Sequence, residues 1–197
     1  MNRQVNGSLP FFPEQIARVL NSRSPRKLVD EDCGRAAVLM LVFQGPEDYC
    51  FLLTLRTQAV ETHKGQISFP GGVKEPEDQS MVETALRETW EEIGLPRTSI
   101  QVLGEFDDYR SVTDLIVTPY VGWVVPPLSL VPNRNEVEEV LEVPLSLFRD
   151  KNRLRVESKK RCGQEYPVYF YNFGRKEIWG LTARIIRDFL MLIDGED

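Results

Sequence analysis

The chain has 197 residues, 42% of them hydrophobic, and carries 24 Lys and Arg against 30 Asp and Glu for a net charge of −6. That is enough apolar material for one sizeable core, so a single domain over 1–197 is expected, with 1–30 as an N-terminal helical extension. The acidic balance gives no electrostatic footprint for nucleic acid or an anionic membrane surface. No apolar run reaches the ~18 residues needed to span a bilayer, and the first ten residues lack the apolar core of a signal peptide, so a soluble, cytoplasmic protein is expected. Cys33, Cys50 and Cys162 are odd in number and widely spaced, which suggests reduced thiols rather than a disulfide framework or a zinc site.

Taken in chain order, residues 13–21 place Ile16, Val19 and Leu20 at helical spacing. Residues 36–43 and 49–55 are apolar runs of strand formers separated by a turn cluster at 44–48, and are expected to pair. A short strand over 66–69 then feeds a glycine turn at Gly71 and Gly72. Ser80 precedes Glu83 at the capping-box spacing, while Gly94 and Pro96 form a stop signal, so a helix is predicted over Met81–Ile93. At ~100° per residue, Val82, Leu86, Thr89 and Ile93 share a buried sector with Ala85 and Trp90 at its margins. Glu88 and Glu92 then stand one turn apart on the other, exposed side, with Glu91 beside them and Arg87 beyond. Such a face is either a solvated charge run or a set of hard oxygen donors suited to Mg²⁺ or Mn²⁺.

Further on, residues 100–106 and 116–125 are expected to pair around a polar bend at 107–114. Pro126, Pro127 and Pro132 mark a loop, and residues 143–148 read as a helical turn entered through Pro144. Residues 153–157 and 168–173 form a late hairpin. A final amphipathic helix over 181–193 carries Ile185, Ile186, Phe189, Leu190 and Ile193 on one face. Strands interleaved with helices give an α/β chain whose mixed sheet is covered on both faces.

The run from Gly72 to Leu95 resembles the signature of the Nudix hydrolases. Arg87, Glu88, Thr89, Trp90, Glu91, Glu92, Ile93, Gly94 and Leu95 follow its second half, with Thr89 in place of an aliphatic residue. The first half departs from it. Asp78 stands where the signature has Glu, and the stretch from there to Arg87 is one residue longer. Upstream, Leu52 to Arg56 followed by Gly65 and by Phe69 to Gly72 is similar to the motif of the coenzyme A pyrophosphatase branch, with Thr57 and Glu61 as departures; Glu61 replaces an Arg. Residues 178–186 also look like the C-terminal part of that branch.

The resemblance implies an α/β/α sandwich and hydrolysis of a diphosphate with Mg²⁺ or Mn²⁺ as cofactor. It implies metal binding by Glu88, Glu91 and Glu92, a carboxylate-orienting salt bridge from Arg87, phosphate contact by Arg56, and close approach of Gly71 and Gly72 to the metal and substrate. For the general base, the acidic run at 135–139 offers Glu136 first and Glu139 second, weighed against a solvated face. His63, the only histidine, is divided evenly between a structural role and a substrate contact. The substrate expected is coenzyme A or a derivative, cut to 3′,5′-ADP and 4′-phosphopantetheine. ADP-ribose or a dinucleotide is the alternative, and a nucleotide-binding domain without catalysis is a third reading. A homodimer is left open by the sequence.

Overall fold

The computed structural model describes residues 12–57, 65–161 and 163–195. Helix α1 (Phe12–Asn21) precedes two long strands, β1 (Gly34–Gln44) and β2 (Tyr49–Arg56), and two short ones, β3 (Ile67–Ser68) and β4 (Gly71–Val73). Then come α2 (Met81–Ile93), β5 (Gln101–Glu105), β6 (Tyr109–Arg110), β7 (Leu115–Trp123) and β8 (Val137–Pro144). Helix α3 (Leu145–Arg149), strands β9 (Leu154–Arg161), β10 (Gln164–Phe173) and β11 (Lys176–Trp179), and α4 (Gly180–Asp194) complete the chain. Among the described residues no helix is long and apolar enough to cross a membrane.

The main sheet runs β3-β2-β1-β7-β5, with β8 also on β2, β4 on β1 and β6 on β7. It is mixed: β1 and β7 are parallel, the other pairs antiparallel. Both faces are covered, which is why β1 and β2 read as continuous apolar runs rather than alternating ones. Met40, Val42, Phe51 and Leu53 point into a core closed by α1 and α4. Leu39, Leu41, Cys50 and Leu52 point into a second core closed by α2. Strands β9, β10 and β11 form a separate antiparallel sheet.

Three departures from the sequence reading matter for the site. Gly71 and Gly72 lie in strand β4, not in a turn, paired with Val38 and Ala37. The acidic run at 135–139 divides at Val137: Asn135 and Glu136 lie in the turn before β8, as expected of a loop, while Glu138 and Glu139 lie in the strand that pairs along β2 from Cys50 to Arg56. The bend at 107–114 contains β6. Its approach holds Asp108, fully buried, which accepts from Thr118 Oγ1 at 2.7 Å and from the Leu28 amide at 3.0 Å. That carboxylate fastens the segment after α1 across the sheet.

The sheet also opens a gap where the site lies. Strand β1 pairs with β2 over Leu41–Gln44, but over Ala36–Val38 it pairs with β4 instead. The C-terminal end of β2 is thereby left to β3 and β8, and Arg56 stands at that end.

Candidate active site

Helix α2 has the bounds its capping residues predict. Ser80 Oγ accepts from the Glu83 amide, Glu83 Oε2 accepts from the Gln79 amide, and Gly94 adopts φ 67° while its N–H reaches Trp90 O at 2.9 Å. A Cβ at Gly94 would stand 2.8 Å from Val131, so glycine is required both by the left-handed backbone and by the approaching loop. That loop finishes the cap, with the Val131 and Asn133 amides donating to Ile93 O and Glu92 O at 2.8 Å each. It therefore fixes the following residues, Glu136 among them, against the C-terminal end of α2.

The rotation of the helix corrects the sequence reading. Thr84, Ala85, Leu86, Thr89, Glu92 and Ile93 are buried, whereas Trp90, expected at the margin of the buried sector, is 55% exposed. Glu92 is thus not on an exposed face; it is 1% exposed and turned toward the sheet. Thr89 is buried as expected, its Oγ1 donating to Ala85 O at 2.7 Å, and the sector widens past it because Thr84, whose Oγ1 donates to Asp78 at 2.9 Å, is buried as well.

Asp78, whose role the sequence left unassigned, is tied into the base of the helix. It accepts from Arg87 Nε at 3.0 Å, Arg87 Nη2 at 3.1 Å, Thr84 Oγ1 at 2.9 Å and the Glu75 amide at 2.9 Å. The Arg87 hydrogen bonds, with the backbone and Thr84 donors, hold its carboxyl far below the usual range despite its burial. Arg87 in turn bonds Val73 O at 3.1 Å and Glu88 Oε1 and Glu91 Oε2 at 3.0 Å each. One guanidinium joins β4, the loop and the helix. The fork geometry that makes this pairing bidentate needs both residues and is indifferent to one extra residue between them.

Glu92 has the opposite surroundings. Its one hydrogen bond among the described residues comes from Arg56 Nη1, at 3.0 Å to Oε1; its Oε2 is buried without a partner, as is Arg56 Nε. Burial, followed by the opposing pull of Arg56 and the repulsion of Glu88 and Glu136, raises its carboxyl to about 8. Glu88 is also raised, chiefly by burial, with Arg87 drawing it down and Glu91 and Glu136 pushing it up. Its carboxylate packs against Gly72, where a Cβ would stand 2.4 Å away. Gly72 is thus a cradle for a carboxylate, and the backbone of Gly71, at φ 154°, runs too close to Ala37 O for any side chain.

These residues fit a divalent cation. Glu92 supplies a buried hard oxygen donor with nothing bound to it, Glu88 stands one turn away, and Glu136 adds charge facing both. No group of three acidic, His or Cys side chains is already drawn into a cage among the described residues. Glu91 is exposed and tied to Arg87, so the fit rests on Glu88 and Glu92, with waters and substrate oxygens as the usual remaining ligands of Mg²⁺. Glu136 accepts from Asn133 Nδ2 at 3.0 Å, and its backbone carbonyl accepts from the Thr57 amide at 2.9 Å, which joins the loop to the end of β2. Glu139 is instead paired with Lys176. Glu61, His63 and Cys162 lie outside the described residues.

The NUDIX domain pattern matches residues 34–161. A Nudix hydrolase named NudL from Photorhabdus laumondii, of uncharacterised activity, is 41% identical over 162 residues, covering 82% of this chain and 86% of that protein. Its namesake from Yersinia pestis is 39% identical over 153 residues, covering 78% and 76%. The crystal structure of a MutT protein from Methanosarcina mazei superposes with a TM-score of 0.51 at 21% identity, over 83% of this chain and 94% of that one. That of a MutT/Nudix family protein from Enterococcus faecalis gives 0.50 at 17% identity, over 95% and 70%. These last two bear on the fold, a mixed sheet between helices.

Proposed function

Because the chain belongs to the Nudix hydrolase family, we propose that it is a divalent-metal-dependent diphosphatase acting on coenzyme A or its acyl and oxidised derivatives. The products are 3′,5′-ADP and the 4′-phosphopantetheine half. The observation that carries this reading is the bond between Arg56 and Glu92. Arg56 ends the Leu52–Arg56 run similar to the coenzyme A branch, and Glu92 is the last carboxylate of the helix, so a substrate motif and a metal motif meet at one hydrogen bond.

Bound Mg²⁺ or Mn²⁺ would neutralise charge on the diphosphate oxygens and acidify the attacking water. Glu88 and Glu92 would hold the ion, whose charge would offset the burial that raises both carboxyls. Arg56, tied to Glu92 through one nitrogen only, keeps its remaining N–H donors for phosphate oxygens. Arg87 fixes the orientation of Glu88, and Asp78 fixes Arg87. Glu136, half-buried beside both carboxylates, takes up the proton of the attacking water.

The second reading keeps this chemistry and changes the substrate. Glu61 puts an anion where the coenzyme A motif has a cation, which favours another nucleoside diphosphate derivative such as ADP-ribose or a dinucleotide. A panel of coenzyme A, acyl-coenzyme A, ADP-ribose and diadenosine substrates with Mg²⁺ or Mn²⁺, its products identified by mass, separates the two. Preferred cleavage of coenzyme A is expected; preferred cleavage of ADP-ribose would remove that substrate and keep the diphosphatase.

A further inference from the structure

A second cleft, of about 310 Å³, lies among the segment after α1, the β6 region and α4, on the sheet face opposite α2. Its walls carry Arg23, Arg26, Arg184 and Arg187. Among the described residues that line the cleft, Asp107 and Asp188 are the carboxylates facing them, so four guanidinium groups meet two carboxylates, an excess of two positive charges in a chain of net charge −6.

Both carboxylates are already engaged. Asp107 pairs with Arg23 and accepts from the Arg26 amide at 2.9 Å. Asp188 accepts from the Tyr109 hydroxyl at 3.0 Å and from Arg187 Nη1 at 3.1 Å, while Arg184 stands 3.8 Å away. Donors remain over. Arg23 Nη1 is buried with no hydrogen-bond partner among the described residues, and the one hydrogen bond that they give the Arg26 guanidinium is Nη2 to Asp108 O at the long distance of 3.5 Å. Both Arg26 and Arg184 lie over the buried Tyr109 ring, at 5.9 and 5.6 Å from its centroid, which holds two stems in place without using their N–H groups. A structural ion-pair network would match its charges. This one keeps a surplus of oriented fork donors around a concave space, the chemistry that recognises phosphate oxygens.

We propose that this cleft binds a soluble phosphate-bearing anion, with Arg23, Arg26 and Arg184 as its donors. None of its residues is Arg56, Glu88, Glu92 or Glu136, so the site is separate from the diphosphatase centre and independent of its substrate.

Isothermal titration of the full chain with inorganic pyrophosphate, in EDTA and low salt so that no cation bridges the anion to Glu88 and Glu92, tests this. Saturable binding that weakens as salt rises is expected. The double variant R26Q/R184Q is expected to bind at least about tenfold more weakly with an unchanged melting temperature, because both side chains reach the surface. The single variant R184Q supplies the same test with a smaller loss if the double variant misfolds. Absence of binding to the wild-type chain, or equal affinity in the folded Arg26 and Arg184 variants, would each overturn the proposal.

Discussion

The two ends of helix α2 hold two buried carboxylates with opposite fates. Asp78, beside the first turns and 8% exposed, receives four hydrogen bonds, two of them from one guanidinium. Glu92, in the last turn and 1% exposed, receives one and leaves an oxygen bare. Burial costs both, but hydrogen bonds to a charged group are worth roughly 1.5–3 kcal/mol each, so four offset the cost at Asp78 and one does not at Glu92. The first end is therefore architecture. The second stores an unmet demand for positive charge, and that difference separates a scaffold carboxylate from one positioned for a cation.

The largest effect expected from this contrast is on turnover at Glu92. Glu92→Gln keeps the bond to Arg56 and removes the charge, so coenzyme A hydrolysis should fall by about a hundredfold or more in a steady-state assay while the chain stays folded. Asp78→Ala should act in the opposite way. Chemical denaturation should register a loss of about 3 kcal/mol, because Arg87 loses its bidentate partner, with a smaller fall in turnover per folded molecule. A Glu92 variant that unfolds, or an Asp78 variant that keeps its stability, would break the comparison.

Acid and base responses sharpen it further. Asp78 is lowered from an ordinary value of 3.8, so its contribution is complete above that pH and is lost as the pH falls toward the folded value. Glu92 is raised from 4.5 to about 8, so between these values the unfolded chain is charged there and the folded chain is not. Metal-free protein should therefore lose stability as pH climbs from about 4.5 to 8, visible in melting curves recorded in EDTA across that range. The smallest effect belongs to Gly72→Ala. Its Cβ meets the mobile end of Glu88 rather than backbone, so stability should change by about 1 kcal/mol or less, while turnover drops about tenfold as Glu88 is displaced.

Much of this was legible in the sequence because local rules sufficed. Ser80, Glu83 and Gly94 bound α2 at the residues observed, and the apolar runs at 36–43 and 49–55 announced the central strands. The site was legible where a motif fixed spacing, as for Arg87, Glu88 and Glu92. It failed where tertiary contacts decide. A wheel centred on Val82, Leu86, Thr89 and Ile93 leaves out Thr84, whose hydroxyl Asp78 satisfies, and so left Glu92 in solvent. Strand β8 alternates Val137, Leu141 and Val143 inward with Glu138 and Glu142 outward, yet its glutamates read as a charge run. The partnership of Asp78 with Arg87 spans a loop and a helix, and fixed spacing does not encode it.

Glu92 is the carboxylate positioned for a cation, and one pair of melting curves tests that directly. At pH 8 in EDTA, the Glu92→Gln chain should melt at or above the wild-type temperature, and adding Mg²⁺ or Mn²⁺ should raise the wild-type melting temperature by several degrees while leaving the variant unmoved. A variant that melts well below the wild type in EDTA, or one that responds to the metal as the wild type does, would contradict it.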